Sequence, residues 1–61
     1  MLETINKEIE QAKENFEQYK NTELLNSMML QANAKIQGML TMLEIATGKQ
    51  YYYDNDGVHE Q

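Results

Sequence analysis

Few side chains in this sequence are able to do covalent chemistry. There is no cysteine, one serine, Ser27, and one histidine, His59. A hydroxyl or thiol nucleophile needs a base within hydrogen-bond reach and a third group to orient that base. No such set can be assembled here. Gly38, Gly48 and Gly57 stand alone, so no glycine-rich loop is present to cradle a phosphate. Zinc would have to be held by His59 and carboxylates without any thiolate. Asp54, Asp56 and Glu60 begin like a calcium loop, but the ligand spacing breaks off after Gly57. The expectation is a chain that is not an enzyme and holds no metal or cofactor.

Recognition is a different matter, and its candidates gather near the C-terminus in "GKQYYYDNDGV". Four of the five aromatic residues are tyrosines, and three of these are Tyr51, Tyr52 and Tyr53. Asp54-Asn55-Asp56-Gly57 is a turn signal, compatible with a type I turn followed by a left-handed glycine. Gln50–Tyr53 and Val58–Glu60 then read as two short strands, with Tyr51 and Tyr53 on one face and Tyr52 on the other. Over these eleven residues the stretch resembles half of an aromatic repeat from bacterial cell-wall- or glucan-binding modules. It lacks their Trp, occurs once, and follows a helical body that they do not have, so the likeness is one of turn chemistry. Two roles fit the tyrosines. They can cap the open end of a helical bundle, where an aromatic ring with a polar tip suits a half-wet position. Alternatively, with Lys49, they can form a patch for a partner or ligand, since Tyr is enriched at interface hot spots.

Composition narrows the partners. The net charge is −5, and all five basic residues are Lys. Without Arg there is no bidentate reader of phosphate or guanine, and no basic footprint for nucleic acid. A basic protein surface suits the charge better. No run approaches the ~20 apolar residues of a membrane helix, and "MLETINKEIE" lacks the order of a signal peptide. A soluble, cytoplasmic protein is expected. Domains of this size bury only ~60% of their unfolded surface and need disulfides, a metal or oligomerisation. Oligomerisation is the route left open.

The elements that carry these residues read as helix up to Gly48. Leu2, Ile5, Ile9, Ala12, Phe16 and Tyr19 are spaced 3, 4, 3, 4, 3, a coiled-coil seam. A second series runs Leu25, Met29, Ala32, Ile36, Met39, Leu43, Ala46, widened by Leu24, Met28, Leu40 and Met42. One unbroken helix would set the second stripe roughly 170° from the first. A reversal at Lys20-Asn21-Thr22 folds the two together. Asn21 supplies a residue that tolerates the left-handed conformation, and Thr22 supplies an N-cap. Helix 1 is placed at about 2–20 and helix 2 at about 22–47. The tail then covers 48–61, with Gly48 as C-cap; a single continuous helix is the alternative.

A second seam lies on the back of helix 2, where Ser27, Ala34, Gly38, Thr41 and Ile45 fall on one line. Small residues there allow close helix approach. Ala34, Gly38, Thr41 and Ile45 are therefore assigned to an oligomer interface, giving a homodimeric four-helix bundle of two antiparallel hairpins. Met28, Met39 and Met42 fill core gaps or line an adaptable groove for another protein's helix. The expected function is that of a small acidic homo-oligomeric protein that binds and regulates or inhibits another protein, in the style of phage and mobile-element accessory genes. A small-ligand sponge, holding a metabolite or signalling nucleotide at the oligomer interface, and a structural assembly part are the alternatives.

Overall fold

A computed structural model describes residues 1–61 as two α-helices followed by a β-hairpin. α1 spans Leu2–Tyr19, α2 Leu25–Thr47, β1 Tyr51–Asp54 and β2 Gly57–Glu60. α1 buries the middle of its predicted stripe, Ile5, Ile9 and Ala12, with Phe16 and Tyr19 half-buried. Its other faces are charged, with Lys–Glu pairs such as Lys20–Glu17 at 2.8 Å. The two helices pack against each other as a hairpin. The longest extent of the whole molecule is 39 Å. An unbroken helix from residue 2 to residue 47 would need about 68 Å.

The reversal forms at the expected place by a different device. Only glycines have positive φ, so Asn21 supplies no left-handed residue, and Lys20 closes α1 in the right-handed region. Thr22 does the work through its hydroxyl, which donates to the Tyr19 carbonyl at 2.8 Å and accepts the Leu24 N–H at 3.2 Å. That bonding closes one turn ahead of the helix, with the Leu25 N–H reaching the Thr22 carbonyl at 3.4 Å. Regular α2 therefore begins at Leu25 rather than at 22. Its other end is the predicted one: Gly48 at φ 73° donates its N–H to the Glu44 carbonyl at 2.8 Å.

β1 and β2 pair antiparallel, Tyr51 opposite Glu60 and Asp54 opposite Gly57. The Asp54 carboxylate accepts the Asp56 N–H at 2.8 Å, an Asx turn, and the positive φ falls on Gly57 at 124°. Of the positions open to it, the hairpin takes one across the side of the helix pair and not over its open end. β2 packs on α1 and β1 on α2. Underneath is a cluster of Ile5, Ile9, Ile36, Leu40 and Leu43, with Met39, Tyr51, Tyr53 and Val58 packed against it. Gly48, Lys49 and Gln50 turn the chain back, so that β1 starts along the helices it has just left. Coverage is partial, and Leu2, Met29 and Ala46, all placed in the stripes by spacing, remain exposed. No helix is long and apolar enough to cross a membrane.

Gly57 is the tightest point of this packing. A Cβ built there would lie 2.8 Å from Asn6 Oδ1, the same atom that accepts the Val58 N–H at 3.1 Å. Gly57→Ala should destabilise the fold by about 1–3 kcal/mol through contact and backbone strain together. In the Asn6→Ala background the contact disappears and only the strain of positive φ remains. Thermal melts of the two single variants and the double variant should therefore show a smaller penalty for Gly57→Ala when Asn6 is absent; strict additivity would remove Asn6 from this account.

Candidate functional site

The tail is held by side chains from both helices at four points. Asn6 of α1 accepts the Val58 N–H, and Lys13 of α1 donates to the Asn55 carbonyl at 3.0 Å. Glu44 of α2 accepts the Tyr51 N–H at 3.0 Å, and the Tyr53 hydroxyl donates to Asn33 Oδ1. Asn6 and Lys13 are seven residues apart, as a helix requires for two groups on one face. Asn33 and Glu44 are likewise three turns apart on α2. The side chains that anchor the tail were invisible to apolar spacing, because each borders a stripe rather than belonging to it.

Strand alternation divides the three tyrosines as expected. Tyr51 and Tyr53 are half-buried and face the helices, while Tyr52 is 46% exposed and faces out. Tyr52 lies beside its cross-strand partner His59, ring centroids 5.1 Å apart, and His59 Nε2 is 2.9 Å from Asp54 Oδ1. The hydrogen bond to His59, and then the Asp56 N–H, hold the Asp54 carboxyl below its ordinary range. Lys49 forms an ion pair with Glu60 at 3.4 Å, which closes the base of the hairpin.

The methionines do not join the tyrosines. Relative to Ile36, the Met28, Met39 and Met42 directions lie roughly 60–120° round α2, on the side away from Asn33 and Glu44. Met39 and Met42 line a shallow depression with Met1 and Thr4. Met28 lies in the opposite interhelical groove near the Lys35–Glu8 ion pair, 3.1 Å long. Ala34, Gly38, Thr41 and Ile45 are exposed on the back of α2, and a Cβ on Gly38 would meet nothing within 4 Å.

One apolar recess is a feature that the spacing did not single out. Where the hairpin stops, the seam between α1 and α2 stays open towards the interhelical turn. Phe16, Met29, Leu30 and Tyr53 form its walls, over a floor of Ile9, Ala12 and Ile36, and its volume is about 310 Å³. Met29 is 47% and Leu30 72% exposed. Lys13 stands on its rim, already bonded to Glu10 and Asn55. A signal for it existed in the sequence: Leu30 is a large apolar residue outside the core series of α2.

No His/Cys/Asp/Glu cluster able to hold a metal ion is present. Comparison with protein-family models, curated proteins and solved structures gives no match. What the chain offers is surface: an apolar groove, an outward Tyr52–His59 pair, and a helix back without charge.

Two outcomes follow. Tyr51→Ala and Tyr53→Ala should each cost about 1–3 kcal/mol in thermal melts, as partly buried rings do, whereas Tyr52→Ala should be near neutral. Equal effects at all three positions would contradict the strand alternation. Asp54, with its folded pKa depressed, contributes stability that is present above its ordinary carboxylate range and lost as pH falls through its folded value. Melting curves recorded from pH 5 down to pH 2 should therefore lose part of their slope in Asp54→Asn; an unchanged profile would show that the His59 and Asp56 contacts are not felt.

Proposed function

We propose that this chain is a small acidic helical protein, acting in the cytoplasm as a homo-oligomer, that regulates or inhibits another protein by binding it. The observation that carries the reading is the groove between α1 and α2, where Phe16, Met29, Leu30 and Tyr53 leave apolar surface open beside a hairpin that covers the rest of the seam. Such a groove suits the apolar side chains of an amphipathic helix, anchored at one-turn intervals. Its composition favours this over a phosphorylated metabolite, because the rim cation Lys13 is already engaged by Glu10 and Asn55. Tyr53 then serves twice, buried edge against the core and open edge towards the partner.

A photo-crosslinking residue at Met29 tests this in the native host. It should yield a covalent adduct with a different protein, and the same residue at Glu14, on the charged side of α1, should not. Adducts only with further copies of this chain, or none, would remove the groove as a partner site. A small molecule retained in native mass spectrometry and lost in Met29→Glu would replace the partner protein with a ligand.

A further inference from the structure

The homo-oligomer in that reading can be given a geometry from the back of α2. Leu30 and Ile45 are 72% and 79% exposed, more than any other large apolar side chains in the molecule. They share this face with Ser27, Ala34, Gln37, Gly38, Thr41 and Gly48, and none of the eight residues is charged. The outer face of α1, by contrast, carries Glu3, Lys7, Glu10 and Glu14. A stripe depleted of charge is the compositional mark of an interface centre.

The order of residues along the stripe is symmetric about a point between Gln37 and Gly38. Moving outward from that point, Ala34 and Thr41 are equidistant, then Leu30 and Ile45, then Ser27 and Gly48. In these three outer pairs small residues mirror small ones and large apolar residues mirror each other, while at the centre Gln37 falls opposite Gly38. That pattern has no consequence inside one chain. It matches the requirement of an isologous two-fold contact between antiparallel helices, in which residue i of one copy meets residue j of the other and j meets i. At the centre, Gly38 has no crowded neighbour in its own chain and no positive φ to explain it. A mid-helix glycine costs about 1 kcal/mol relative to Ala, and close approach of a second helix is a use for it.

The molecule as a whole is also more open than its mass requires. A compact monomer of this mass should expose about 4,100 Å², and this chain exposes 4611 Å². Its radius of gyration is 12.2 Å, where about 10.5 Å is usual for the length. Both values describe an elongated chain that leaves more surface open than a globule of this length would.

We infer that a second copy of this chain docks antiparallel on α2, with the two-fold axis beside Gln37 and Gly38 and Leu30 of each copy against Ile45 of the other. This rests on the homo-oligomeric part of the proposed function. It also adds to the site, because Leu30 is the lip of the apolar groove and Ile45 of the second copy extends that wall.

The absence of native cysteine makes the test direct. Leu30→Cys and Ile45→Cys, mixed and oxidised, should give a heterodisulfide, whereas neither should couple to itself, since residues 30 and 45 lie about 22 Å apart along the helix and a disulfide needs Cα atoms within ~7 Å. Self-coupling of Leu30→Cys would mean a parallel pair and would overturn the inference. So would a sedimenting dimer giving no mixed disulfide, or a monomer at high micromolar concentration. Gly38→Leu should keep the helical circular dichroism of the monomer, where its side chain meets open space, while weakening the dimer by about tenfold or more. The Met29 crosslink to another protein is read independently, so loss of this dimer and loss of the partner site are separate results.

Discussion

Five side chains, Ile5, Ile9, Ile36, Leu40 and Leu43, form the contact on which every other element relies. They are where α1, α2 and the hairpin converge, and all are at most 6% exposed. With so few fully buried residues, hydrophobic burial alone leaves a chain of this length close to the limit of independent stability. Each feature outside the cluster is then either a device that protects it or a surface left over from building it.

The hairpin is the main protecting device. An isolated two-stranded hairpin is marginal in water, and this one is stabilised by docking rather than by its own ladder. Asn6, Lys13, Asn33 and Glu44 satisfy tail groups that face the helices, while Tyr51, Tyr53 and Val58 add apolar cover. The three tyrosines therefore do not act as one unit. Two are part of the core's wall, and the outward Tyr52 pairs with His59 across the ladder.

α2 is what the protection leaves unfinished. Within Leu25–Thr47 the only charged residues are Lys35 and Glu44, and one of those is taken up by the Tyr51 N–H. Apolar side chains consequently emerge on three sides: Met29 at the groove, Met42 beside Met1, and Leu30 and Ile45 at the back, Leu30 also reaching the groove's edge. A helix apolar around much of its circumference is normally buried on all sides. Here one helix and one short hairpin are too small to enclose it, and part of its apolar surface stays open.

The sequence by itself determined the two apolar helical stripes whose offset favours a hairpin, the left-handed glycine that ends α2, and the alternation of Tyr51, Tyr52 and Tyr53. Each of these follows from a local period or a single residue's backbone freedom, and neither depends on distant partners. Tertiary structure alone decided that the tail lies along the side of the helices and not over their end. That choice is made by four polar side chains, three of which reach across 20 to 52 positions, such as Tyr53 to Asn33 and Val58 to Asn6, and hydrophobic spacing carries no trace of them. It likewise decided the site. The groove at Phe16 and Met29 exists because the docked hairpin stops short of the interhelical turn, so residues that periodicity assigns equally to the core end up covered or open according to where a distant segment lands.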